Sequence, residues 1–143
     1  MIRGDIQAIR IGDNTNVQDG AVLHVSHDGP FKPGGAALLI GDNVTIGHNA
    51  MLHGCKIGRD CLIGMSATVM DDAVLEDGVM LAAGALVPPN KVLESGFLYA
   101  GSPAKKIRLL TQKEKDFIPY SAEHYVRLKI RHEQDSHQIL SNK

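Results

Sequence analysis

The sequence predicts an all-β solenoid, a parallel β-helix of six-residue repeats, with an α-helical segment at its C-terminal end. Three observations predict it. Aliphatic residues recur every six positions, glycine or short polar residues stand beside them, and the core has no tryptophan and few other large aromatics to draw on. From Ile11 the step gives Val17 and Leu23; from Ile40, Ile46 and Leu52; from Ile57, Ile63, Val69, Leu75, Leu81 and Val87. A helix would repeat its apolar residues at three and four, and a plain strand at two. A six-residue step fits neither. It fits a coil of three short strands and three corners, stacked so that neighbouring strands lie about 4.8 Å apart.

Taken in order, the first coil spans 11–28, and residues 29–39 read as an extruded loop from their Pro and Gly content. The second coil, 40–56, is one residue short, the deletion falling at His53-Gly54-Cys55-Lys56. Glycine directly follows Ile11, Ile40, Ile46, Ile57 and Ile63, and glycine or a short polar residue is expected to permit the sharp corner. Small or β-branched residues such as Ala21, Val44, Ala67 and Val79 fill the position four places on. The period fades after Val87-Pro88-Pro89, so the β-helix is assigned to 1–108 and the helical segment to 109–143. Thr111-Gln112-Lys113-Glu114 is a capping box opening a short helix that Pro119 should end. Ser121 can cap a second helix to roughly Glu133, with Tyr125, Leu128 and His132 on one face, before a polar, frayed tail after Gln134.

Composition limits the function. Fifteen basic residues against sixteen acidic ones give a net charge of −1, which speaks against nucleic acid and anionic membranes as partners. No apolar run approaches the ~18 residues of a membrane span. Met1-Ile2-Arg3-Gly4-Asp5 lacks signal-peptide organisation, so the expectation is a soluble cytoplasmic protein. Cys55 and Cys61 suit neither a redox dithiol nor a zinc ribbon and read as buried thiols.

Of seven histidines, three stand in informative phases of the repeat. One His at a polar corner is ordinarily structural or solvated. His24 and His53, however, each follow the inward aliphatic of the third unit of a coil. Their separation of 29 residues is one 18-residue coil plus the 11-residue loop. They should sit one above the other, about one strand spacing apart. Both could then reach one ion at Zn–N distances of about 2.0–2.1 Å. His48 lies two places after Ile46, on another edge of the coil, and cannot readily join them within one chain. As a ligand it must come from an adjacent subunit, a condition that a three-fold trimer meets at three equivalent interfaces. Three histidines and an open position are the arrangement of a catalytic zinc.

Ile2-Arg3-Gly4-Asp5, Asn16-Val17-Gln18-Asp19-Gly20, Leu23-His24, Gly47-His48 and Leu52-His53-Gly54, with Tyr120-Ser121 entering the last helix, resemble the gamma-class carbonic anhydrase family. That family belongs to the hexapeptide-repeat superfamily of left-handed β-helices. The resemblance implies zinc, with ferrous iron as an alternative, held by His24 and His53 of one subunit and His48 of the next in a homotrimer. It implies a lyase, a carbonate dehydratase that reversibly hydrates carbon dioxide to bicarbonate by metal-bound hydroxide. Gln18 would orient the metal-bound water. Arg3 and Asp5 would pair across the trimer interface, and Asp19 would support that network. A surface ion pair and polar β-helix corners are the plainer readings of these helpers. Where well-known members carry acidic residues, this chain has Ile6 and His27. His27 is a candidate proton shuttle or a solvated loop residue beside Asp28, and Tyr120 is placed near the site. An Asn found in the last helix of some members corresponds to His124. Further coils usually precede Ile-Arg-Gly-Asp, so N-terminal coils are expected to be missing from this sequence. The alternatives are a catalytically weak metal-binding scaffold and an acyltransferase that uses coenzyme A on the same fold.

Overall fold

The computed structural model describes residues 1–141, with side chains through Ser136. The first coil comprises β1 (Ile9–Ile11), β2 (Asn16–Val17) and β3 (Val22–His24). The second comprises β4 (Leu38–Ile40), β5 (Thr45–Ile46) and β6 (Met51–His53). The third has β7 (Lys56–Ile57), β8 (Leu62–Ile63) and β9 (Thr68–Val69), and the fourth β10 (Val74–Leu75), β11 (Met80–Leu81) and β12 (Leu86–Val87). Strands three apart in order pair in parallel, and the resulting three sheets are the faces of a left-handed β-helix.

The repeat dictates the interior. Every six-step aliphatic is buried except Val17, which is partly buried, and Ile11, which is 38% exposed at the open end of the stack. Each buried side chain of this size contributes about 1.5–3 kcal/mol of transfer free energy. Cys55 and Cys61 fill the same narrow core as free thiols, and burial pushes both up to about 12.

The corners differ from expectation in an instructive way. Left-handed backbone falls three places after every aliphatic of the repeat except Leu23 and Leu52, on Asn14, Asn43, Asp60 and Ser66 with φ between 52° and 58° among others, and on Gly20, Gly78 and Gly84. The glycines beside the aliphatics have ordinary φ and serve another purpose, the close stacking of coils. A Cβ on Gly64 would lie 2.4 Å from the Ala83 nitrogen of the next coil.

The repeat also runs further than the sequence suggests. After Pro88-Pro89 come β13 (Val92–Leu93) and β14 (Phe97–Ala100), in register with β10 and β11, so that Leu93 and Tyr99 continue the buried column. Tyr99 hides the period because an aromatic stands where an aliphatic was sought; its hydroxyl accepts the Glu94 N–H at 3.0 Å. β15 (Lys105–Leu109) then folds back antiparallel on β14.

One helix, α1 (Gln112–Ser141), replaces the two expected. Pro119 lies inside it, near the start, where the lost backbone bond is offset by packing on either side. Ile118, Ser121 and Ala122 are buried against the prism, and Ser121, rather than capping a new helix, meets Thr45 with 3.0 Å between their hydroxyl oxygens. The helix also runs on past Gln134; Asn142 and Lys143, the end of the expected tail, lie outside the described residues. Loop 29–39 leaves the prism for less than its full length, since Ser26 and Ala36 already bridge and Ala36 is buried.

Candidate metal centre

β3 and β6 bring His24 opposite His53 in register. The inward turn of Leu23 and Leu52 sends each following histidine outward. His24 Nδ1 and His53 Nε2 are 3.0 Å apart, with the ring planes at 62°. Each outer nitrogen meets a carboxylate: His53 Nδ1 is 2.5 Å from Asp71 Oδ1, and His24 Nε2 is 3.3 Å from Asp5 Oδ1. Arg3 donates to Asp5 at 2.6 Å and Ser26 donates to the second oxygen of Asp71 at 2.5 Å. The Arg3 hydrogen bond, with help from His24, holds the Asp5 carboxyl below its usual range. Partial burial pulls Asp71 upward, but hydrogen bonds from His53 and Ser26 outweigh it and the net direction is down.

This donor set can be tested against a metal by elementary chemistry. An ionised carboxylate only accepts, so an outer nitrogen bonded to it carries the ring hydrogen. Both inner nitrogens then present lone pairs to each other across 3.0 Å. Such a pair repels unless a positive centre, a proton or a metal ion, lies between. Two nitrogens bound to a tetrahedral zinc are about 3.3 Å apart, so a shift of a few tenths of an ångström would admit the ion. The residues fit zinc.

The other predicted residues fall into two groups. His48 sits at the corner after β5, with Nδ1 3.6 Å from Asp19 Oδ2, and Asp19 occupies the same corner one coil earlier. Neither reaches the His24–His53 pair, and among the described residues no cluster of three metal-binding side chains forms within one chain. Gln18 Nε2 donates to the Tyr125 hydroxyl at 2.9 Å and to Asn16 Oδ1 at 3.3 Å. Gln18, His48 and Tyr125 line a cleft of about 560 Å³ between α1 and the sheet that contains β5.

Arg3 and Asp5 pair within the chain. His27 is exposed at the base of the loop beside Gly29. Tyr120 is exposed and packs against Phe117 and His124, with Arg127 over its ring, so Tyr125 rather than Tyr120 meets Gln18. Sequence reasoning missed Tyr125, Ser26 and Asp71. A signal existed for Asp71: the short second coil stacks it on Gly54, next to His53.

Residues 38–69 and 54–89 match the family model described as bacterial transferase hexapeptide (six repeats). Protein YrdA of Escherichia coli (strain K12) is 50% identical over 129 residues, which are 90% of this chain and 70% of that protein. Gamma carbonic anhydrase 2, mitochondrial, of Arabidopsis thaliana is 43% identical over 131 residues, 90% of this chain but 46% of the relative, so the chain spans about half that protein's length. Among solved structures, a hexapeptide transferase family protein from Anaplasma phagocytophilum superposes with a TM-score of 0.78 at 42% identity, covering 89% of this chain and 70% of the other. Repeat, fold and relatives agree, and the chain belongs to the gamma-class carbonic anhydrase-like family of the hexapeptide-repeat superfamily.

Proposed function

We propose that this protein is a zinc-dependent carbonic anhydrase-like enzyme that interconverts carbon dioxide and bicarbonate at the interfaces of a homotrimer. The observation that carries the reading is the His24–His53 pair, with ring nitrogens facing at 3.0 Å and outer nitrogens backed by Asp5 and Asp71. His48, one prism edge away with Asp19 beside it, would complete the set from the neighbouring subunit and leave one coordination position open. When bound, the ion supplies a Lewis acid that makes water a nucleophile near neutral pH.

The chain's own groups would then orient and exchange protons. Both hydrogens of the Gln18 amide are used on Asn16 and Tyr125, which leaves Oε1 to accept a hydrogen from water at the site. Arg3 steadies the Asp5 carboxylate and, through it, the His24 ring. A proton must finally pass to solvent, and His27 is the candidate acceptor. Its exposed position without contact to the pair is the observation that favours the second reading, a metal-binding trimer with weak turnover. No described helix is long and apolar enough to cross a membrane, and we take the cytoplasm as the site of action.

Metal content and oligomeric mass, followed by stopped-flow hydration of carbon dioxide, test the reading together. The expected result is a trimer with about one zinc or ferrous ion per chain and measurable hydration. Anaerobically purified protein without metal would overturn it. Metal without hydration would establish the scaffold, and acetyl-CoA binding would favour an acyltransferase.

A further inference from the structure

The one-residue deletion in the second coil has a structural consequence. Between Leu52 and Lys56 stand His53, Gly54 and Cys55, whereas the equivalent corner between Val69 and Val74 holds Met70, Asp71, Asp72 and Ala73. The shortened corner leaves room above His53, and the Asp71 carboxylate occupies it. Gly54 keeps that room open: a Cβ there would lie 2.8 Å from Asp71 Oδ1 and 2.7 Å from the Ala36 Cβ. Its φ of 52° is a conformation that side chains rarely adopt.

Aspartates recur at β-helix corners, and most such residues need no functional account. Asp42 and Asp77 accept backbone N–H groups, from Asp13 and Arg59, each at 2.7 Å. Asp71 is different. Among the described residues its carboxylate takes no backbone N–H; one oxygen meets His53 Nδ1 at 2.5 Å and the other the Ser26 hydroxyl at 2.5 Å. The neighbouring Asp72 is tied to loop 29–39 by an ion pair with Lys32. The corner is thus clamped from the loop side while its free carboxylate is spent on the imidazole.

We propose that Asp71 is a positioning residue of the metal centre: with Ser26 holding its far oxygen, it fixes His53 in the tautomer protonated at Nδ1 and aims Nε2 at His24. The assignment rests on the metal reading above for its purpose, but the tautomer it demands is a property of the metal-free protein. A carboxylate bonded to the far nitrogen of a ligating histidine fixes the ring and strengthens the ligand, and its removal ordinarily costs about 10–100-fold in metal affinity.

The test uses the 143-residue chain and its Asp71→Ala and Asp71→Asn variants. Long-range ¹H–¹⁵N correlation spectra of the metal-free proteins report the His53 tautomer, and competition with a chromophoric chelator reports zinc affinity. The expected wild-type result is a hydrogen on Nδ1 of His53. Asp71→Ala should lose that preference and bind zinc about 10–100-fold more weakly, with little change in metal-free melting temperature. Asp71→Asn, which keeps an acceptor oxygen, should retain the tautomer and lose less affinity. A wild-type His53 that carries its hydrogen on Nε2 and none on Nδ1, or a tautomer and zinc affinity unchanged in Asp71→Ala, would overturn the proposal. If Asp71→Ala does not fold, the wild-type tautomer and Asp71→Asn decide: loss of the tautomer in Asp71→Asn contradicts the role. Wild-type protein that takes up no zinc but shows the Asp71-dependent tautomer would sink the metal reading and leave the His53–Asp71 geometry standing.

Discussion

Glycine and the short polar residues divide the work of the corners between them. Three places after most of the aliphatics an Asn, Asp, Ser or Gly adopts the left-handed turn, and the polar side chains ladder from coil to coil, as Asn14 does to Asn43 at 3.3 Å and Asn43 to Asp60 at 3.0 Å. Gly54 combines a left-handed φ with a close approach. Gly54→Ala should therefore cost about 1–3 kcal/mol, read from the denaturation midpoint, because the backbone is strained and a Cβ collides with Ala36 and Asp71. An unchanged midpoint would show that the corner relaxes freely. At this scale the histidine pair was legible because register is arithmetic: equal phase plus a known insertion puts His24 on His53. Asp71 was not, because the deletion shifts its partner by one residue and a corner aspartate looks the same whether it holds a backbone N–H or an imidazole. Tyr125 was hidden for another reason, since its contact with Gln18 joins residues 107 positions apart across two elements.

At the scale of elements, the helix start was legible in full. Thr111 Oγ1 accepts the Glu114 N–H at 3.3 Å, and Glu114 accepts the Thr111 N–H at 2.9 Å. The structure adds Arg108, at the end of β15, whose two nitrogens reach Glu114 at 2.7 and 2.8 Å and fasten helix to strand. That hydrogen bonding, Arg108 first and the Thr111 backbone second, holds Glu114 at about 2, below its ordinary 4.5. A depressed carboxylate contributes fully above the ordinary value and loses its contribution as the pH falls through the folded one. A ¹³C titration of the Glu114 carboxyl should accordingly give a midpoint near 2 that moves upward in Arg108→Ala, and a midpoint of 4.5 in the wild type would contradict the contact. The helix end was misread because local rules stop a helix at Pro119, while packing of Ile118 and Ala122 on the prism carries it through.

For the whole molecule, the six-residue period specified the prism, its three faces and the places of His24, His48 and His53 on them. It did not extend to the final partial coil, where Tyr99 takes an aliphatic's place, nor to assembly, which no single-chain pattern encodes. Assembly nevertheless follows from the proposed site, since His24 and His53 share one edge and His48 stands at another. The most direct measurement combines His48→Ala and His53→Ala chains by co-refolding and determines zinc per chain. Each variant alone should be metal-poor. Equal mixtures should regain zinc at about a quarter of the interfaces, where one variant's His24 and His53 meet the other's His48 around a closed three-fold ring. Mixtures as metal-poor as either parent would contradict a site shared between subunits.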